Sequence, residues 1–219
     1  MRHTSERVPG KNYRPFVGRP LYHHIIETLL DCALIGRVAI DTDSDLIMED
    51  AAKRFPQVEL IRRPDHLRDG TIPMNEILLH DVSRIDADLY LQTHSTNPLL
   101  KSESITRALE QYISRREEHD SAFSVTRVQS RFWDANHRPL NHEPNKLLRT
   151  QDLPPIFEEN SCFFLFTKGL LERRRNRIGA TPMLFEIDAL EAWDIDEELD
   201  FEVAEFLCRR HRTLHKELQ

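Results

Sequence analysis

Arg2, Ser5, Arg7, Lys11 and Asn12 crowd the first dozen positions, immediately ahead of an apolar helical pattern. Cationic side chains and backbone N–H groups gathered before a helix suit a polyphosphate, because they neutralise the charge that grows in phosphoryl or nucleotidyl transfer. No G-x-x-x-x-G-K-[ST] run accompanies them, which excludes an ordinary P-loop. A solvated basic N-terminus is the plain alternative.

Near the other end stands Trp193-Asp194-Ile195-Asp196. On an extended segment, carboxylates at i and i+2 point the same way, so Asp194 and Asp196 can share one hard divalent cation such as magnesium while Ile195 faces the core. Acidic capping of the helix that follows is the competing reading, and Glu197, Glu198 and Asp200 supply it unaided. A third group, Gln92-Thr93-His94-Ser95-Thr96-Asn97-Pro98, begins where an apolar strand ends. Ligands of open α/β sheets lie beyond the carboxyl ends of strands, so this stretch is placed to touch a base or a sugar; a simple Asn-Pro turn is the alternative. A fourth group, Asp41 and Asp43 after the strand Val38–Ile40, has the spacing of aspartate-nucleophile phosphatases, with a loose match elsewhere.

The elements that must position these groups follow from periodicity. Leu21, Ile25, Ile26, Leu29, Leu30 and Leu34 mark one face of a helix. Strands are expected at Arg37–Ile40, Val58–Ile61, Leu89–Gln92, Ala122–Thr126 and Cys162–Phe166. Helices are expected over 43–53, 73–84, 102–115, 168–174 and from Glu197 to about Leu214. Such alternation predicts an α/β fold with a mostly parallel, Rossmann-like sheet flanked by helices. It stops between Gln129 and Pro155, a segment too long for an ordinary connection and rich in proline, which reads as a lid or an arm exchanged between subunits.

Composition narrows the class. With 39% hydrophobic residues, 219 positions suffice for one substantial core and a single domain. A net charge of -7 offers no general basic field, so neither nucleic acid nor an anionic membrane is an expected partner. No stretch approaches a membrane span or a signal peptide, which predicts a cytoplasmic protein. Cys32, Cys162 and Cys208 are odd in number and widely spaced, as buried free thiols would be.

Taken together, Arg2 to Asn12, Arg63-Pro64, Thr96-Asn97-Pro98-Leu99, Leu153-Pro154 with Asn160, and Asp194-Ile195-Asp196 resemble, in order and spacing, the acylneuraminate cytidylyltransferase (CMP-sialic acid synthetase) family. The resemblance covers nearly the whole chain, and its most specific pieces are SERVPGKN at 5–12 and DIDEELDFEVAE at 194–205. It implies the nucleotide-diphospho-sugar transferase fold and a reaction in which the anomeric hydroxyl of an acidic nonulosonic sugar attacks the α-phosphorus of CTP, expelling pyrophosphate with magnesium. Arg2 and Lys11 would stabilise the triphosphate and leaving group, while Ser5, Asn12, Arg63 and Asn97 would bind the nucleotide. His94, Arg149, Gln151 and Asn160 lie where relatives hold the sugar acid, and Asp194 and Asp196 match the metal pair. Segment 129–155, anchored by Phe132 and Trp133, would build a homodimer.

Three departures accompany the resemblance. Relatives carry a short apolar strand before the arginine, where here Met1 adjoins Arg2; the expectation is an upstream start or an open slot in the sheet. Thr4 and Glu6 stand where a glycine and a lysine are favoured, and His94 replaces a glutamine. Two other readings share the class or lose it: activation of the eight-carbon sugar acid Kdo, and a truncated, non-catalytic nucleotide-binding dimer.

Overall fold

The structure, a computed structural model, describes the backbone of residues 1–217 and side chains through Arg210. A short hairpin, β1 (Pro15–Phe16) and β2 (Arg19–Pro20), leads into α1 (Leu21–Leu30). Then follow β3 (Ala39–Thr42), α2 (Asp45–Arg54), β4 (Glu59–Arg62), α3 (Met74–Arg84), β5 (Tyr90–Thr93), α4 (Ser102–Ser114) and β6 (Ser121–Val128). After the long connection come β7 (Ile156–Phe166), α5 (Lys168–Arg174), β8 (Pro182–Glu186) and α6 (Glu198–Glu217).

Local signals explain several boundaries. Ser44 caps α2 by accepting from the Ile47 N–H, and Asp45 at its start with Lys53 and Arg54 at its end complement the helix dipole. Thr167 caps α5 through the Leu170 N–H, and Arg175 closes that helix in the left-handed conformation, φ 54°.

The expected α/β architecture is present, and its sheet is mixed. β3 pairs with β4 in parallel, and a separate four-stranded sheet runs in the order β5-β7-β6-β8. β6 and β8 are parallel, whereas β7 is antiparallel to both β5 and β6. The reason is connectivity: a parallel neighbour needs a crossover, usually helical, and the 129–155 connection contains no helix beyond the single 3-10 turn Thr150–Asp152. β7 is also longer than its apolar run predicts, and β8 is an element the periodicity missed, because Pro182 and the exposed Leu184 interrupt its alternation.

Alternation across the four-stranded sheet divides the core into layers. Ala122, Phe163, Leu165, Met183 and Phe185 face Ile105, Ala108, Leu109 and Tyr112 of α4, together with α1 and α2. Phe123, Val125, Phe164 and Phe166 face Leu78 and Val82 of α3 and Leu170 and Leu171 of α5. The β3-β4 pair joins the first layer through Ile40 and Leu60, as does β5 through Leu91, although no described strand pairs β3 with β5. On that free edge the Met1 nitrogen donates to the Asp41 carbonyl.

A third apolar cluster is small and positions the site. Val8, Phe16 and Leu21 from the N-terminal stretch pack against Ile195, Phe201, Ala204 and Cys208. The basic loop is thereby fastened to the start of α6, with Arg14 stacked on Phe201 at 4.2 Å and paired with Glu198 at 2.6 Å. All three cysteines are free and buried. No described helix is long and apolar enough to cross a membrane.

Candidate active site

Three segments converge beyond the carboxyl end of β5: the basic loop, the stretch Thr93–Asn97 and the stretch Trp193–Asp196. Two bonds sew the last two together, Ile195 N–H to the Thr96 carbonyl at 2.9 Å and Asn97 Nδ2 to the Trp193 carbonyl at 3.4 Å. The basic loop joins through Asn12, whose Oδ1 accepts from Ser95 Oγ at 2.6 Å and whose Nδ2 donates to the Arg2 carbonyl at 2.8 Å. Gly10 supports this path with φ +66°, in the left-handed region where a Cβ is disfavoured and would meet the Tyr13 ring.

Lys11 lies at the centre of the convergence. Its Nζ donates to the Ile195 carbonyl and stands 3.9 Å from Asp196 Oδ1. Burial lowers its pKa from the usual lysine range, and Asp196 and Asp194 pull it back upward. Arg7 reaches the same Asp196 oxygen at 2.7 Å. The Asp194 carboxyl is raised above the ordinary range, first by loss of surrounding water although the residue as a whole presents surface to solvent; its bond to Thr96 and the charge of Lys11 lower it, while Asp196 raises it further. The two carboxylates are thus close enough to repel. Such a donor set fits magnesium, which takes one or two carboxylates and completes its shell with phosphate oxygens and water.

The other expected residues fall into three situations. His94 adjoins the centre, and burial, Arg177 and Lys11 push its pKa down to about 4, so its imidazole is neutral near pH 7. Asn97 is 1% exposed and its Oδ1 has no partner among the described residues. Arg63 is buried with its guanidinium on Asp41, Nε to Oδ1 at 2.5 Å. That pairing engages Asp41 Oδ1 and leaves Oδ2 buried without a hydrogen-bond partner among the described residues, while Asp43 accepts from the His3 N–H at 2.6 Å; both aspartates of the phosphatase reading are thus tied into structural bonds.

Arg2 is exposed, its guanidinium lying against Gly70, while Ser5 is half-buried in the same loop. Arg149 and Gln151 sit on the exposed 3-10 turn, with Arg149 bound to Asp152 at 2.7 and 3.0 Å. Asn160 links strands: it accepts from Ser124 Oγ at 2.6 Å and donates to Thr126 Oγ1 at 2.9 Å, beside Ser161 at φ 58°. The structure therefore brings Lys11, Asn12, His94, Asn97, Asp194 and Asp196 together and leaves Arg149 and Gln151 on the long connection. The pairing of Arg7 with Asp196, the Thr96 bond to Asp194, and Arg177 beside His94 went unread in the sequence. Arg177 was masked by the surrounding run Arg173–Arg175, which reads as solvated charge.

The profile of a family described as Cytidylyltransferase matches residues 1–217. The N-acylneuraminate cytidylyltransferase A of Danio rerio is 26% identical over 208 residues, covering 92% of this chain and 47% of the relative, so the chain spans about half the length of that protein. The pseudaminic acid cytidylyltransferase of Campylobacter jejuni is 24% identical, covering 94% of this chain and 92% of the relative. The CMP-N,N'-diacetyllegionaminic acid synthase of Legionella pneumophila is 27% identical, covering 93% and 91%. Among solved structures, a CMP:2-keto-3-deoxy-manno-octonic acid synthetase complexed with CTP has a TM-score of 0.73 at 15% identity over 96% of both chains. At that identity the likeness is one of fold, and it agrees with the mixed sheet and flanking helices described above. Since the profile runs over residues 1–217, taking in both the basic loop and the acidic pair, the chain belongs to the cytidylyltransferase family.

Proposed function

We propose that this protein transfers CMP from CTP to the anomeric hydroxyl of an acidic sugar of the nonulosonic or Kdo type, releasing pyrophosphate. The observation that carries the reading is the meeting of Lys11 with the Ile195 carbonyl and Asp196, which sets a nearly buried cation against a carboxylate pair at a strand end. Lys11, aided by Arg2 from the same loop, neutralises the triphosphate as its leaving group departs. Ser5, Asn12, Arg63 and Asn97 form the nucleotide side, and His94 and Asn160 lie toward the sugar side. Arg149 and Gln151 would approach the sugar from the exposed turn of the long connection. Asp194 and Asp196 would hold magnesium, which when bound polarises phosphate oxygens.

The long connection carries the proposal of a homodimer. It leaves Trp133, Leu140 and Leu147 exposed by 53%, 60% and 89%, in a stalk tied by Gln129 and Asn141 to backbone carbonyls.

Pyrophosphate release measured with magnesium, CTP or UTP, and a panel of N-acetylneuraminic, legionaminic and pseudaminic acids and Kdo tests the reading. Release with CTP and one sugar acid names the acceptor. Silence with every acid, in a folded protein that still binds CTP, replaces catalysis with a nucleotide-binding role.

A further inference from the structure

The loop between α5 and β8 is fixed from several sides. Arg175 pairs with Glu76 of α3 at 2.7 Å, and Ile178 N–H donates to Asn176 Oδ1 at 3.0 Å. Gly179 N–H donates to Ser121 Oγ at 2.8 Å, while Ala180 and Thr181 N–H groups donate to the Asp120 carboxylate at 2.7 and 3.1 Å. Between these anchors the Arg177 N–H donates to Asn75 Oδ1 at 3.3 Å.

With its backbone so held, the Arg177 side chain crosses the face of Phe164, guanidinium carbon 3.6 Å from the ring centroid. Its Nη1 donates to Gln92 Oε1 at 2.6 Å, at the carboxyl end of β5. Among the described residues no carboxylate pairs with it. Glu159 acts on it only as a more distant charge, and burial lowers its pKa to about 10. A half-buried cation without a counter-ion is costly unless an anion arrives to complete it. Of its five N–H donors Gln92 takes one, which leaves the fork free for bidentate pairing.

We propose that Arg177, flanked by Gln92 and His94, receives the carboxylate of the acidic sugar. This rests on the acceptor class proposed above and names the group that reads it. A carboxylate fits better than a phosphate chain, since a single planar fork offers two parallel bonds to one carboxylate, whereas a triphosphate calls for several cations, and those stand around Lys11. Neutral His94 is within electrostatic reach of both Arg177 and Lys11. Arg149, by contrast, already has Asp152.

The test uses the full chain and its Arg177→Met and Arg177→Lys variants, with melting temperature checked for each. Methionine keeps a flexible stem over Phe164. Turnover is compared for the sugar acid and for its carboxamide. The expected result is a preference of the unaltered protein for the acid of about 100-fold in kcat/KM, collapsing to within a few-fold in Arg177→Met and partly restored in Arg177→Lys, while KM for CTP holds within about twofold. An equal loss for acid and carboxamide in Arg177→Met assigns the residue a structural role and overturns the inference. In parallel, binding of Kdo and of N-acetylneuraminic acid is titrated by NMR without turnover. If no sugar acid supports pyrophosphate release but binding weakens at least tenfold in Arg177→Met, the carboxylate site stands and the catalytic reading falls. Unchanged binding overturns the site itself.

Discussion

Lys11 is 9% exposed, and its nearest partners are a carbonyl oxygen and a carboxylate already bound to Arg7. Its charge is therefore incompletely matched in the resting protein and, in the proposed transfer, would gain most as negative charge builds on the departing pyrophosphate. Lys11→Ala is expected to lower kcat on the order of 100-fold with a smaller effect on KM for CTP; a change confined to KM would reduce Lys11 to ground-state binding. Asp196 is half exposed, so Asp196→Ala costs little stability. Turnover is expected to fall by orders of magnitude with an unchanged melting temperature, and near-normal turnover in excess magnesium removes its metal role. For His94 the folded pKa of about 4 lies below the ordinary 6.5, so its contribution to stability is full above about pH 6.5 and is lost as pH falls toward 4. His94→Gln removes that loss, and the stability difference between the two proteins is expected to shift in the variant's favour between pH 7 and pH 4.5 in thermal unfolding. The difference isolates His94, because Asp81, raised by burial and by Asp41, acts in the opposite sense over an overlapping window. At this scale the carboxylates at i and i+2 were legible because spacing alone sets their direction. The Arg63–Asp41 pair was not, since it depends on two adjacent strands being in register.

Between residues and fold, the elements that matter most are the two that hold loops in place. Ile195 belongs to the small cluster that clamps the basic loop to α6, which is why an apolar residue stands between two carboxylates. Asp120, at the foot of β6, holds the loop that carries Arg177, and it comes so near Gly179 that any Cβ there would overlap its carboxylate. Gly179→Ala must displace Asp120 from two backbone N–H groups, at an expected cost of about 1–3 kcal/mol in urea unfolding. Its catalytic signature should be a raised KM for the sugar acid with KM for CTP nearly unchanged; equal rises in both would mean that the loop serves the whole site. The helices were legible in sequence because each shows an apolar face of period 3.6 and several carry end signals. β7 was only half legible: Cys162–Phe166 is a continuous apolar run, whereas Ile156–Ser161 is broken by the polar stretch Glu158–Ser161 and takes strand form by pairing with β6. Its direction follows from the length and content of the connection before it, which periodicity does not report.

For the molecule as a whole, the sheet is in two parts that share one apolar layer, and the long connection stands outside both. The α/β class could be read from alternation, but the break between β3 and β5 concerns which strands are neighbours, a property no single segment encodes. The connection bears on assembly. It is secured internally by the Trp133–Pro139 bridge and by Asn141, which donates to the carbonyls of Ser130 and Pro154 at 2.7 and 3.1 Å. Its exposed Trp133, Leu140 and Leu147 are thus displayed on an ordered stalk, and apolar groups so held gain by burial against a second copy. Light scattering after gel filtration is expected to give twice the chain mass, and Trp133→Asp with Leu147→Asp to give one. Because neither side chain enters the core clusters, the doubled variant should keep its far-UV circular dichroism, so a monomer would report a lost interface rather than lost folding. A sugar site that closes only when the partner's connection covers it predicts a further effect, a rise in KM for the sugar acid in the monomeric variant with CTP binding retained. A monomeric parent protein would instead make the stalk a lid acting within one chain.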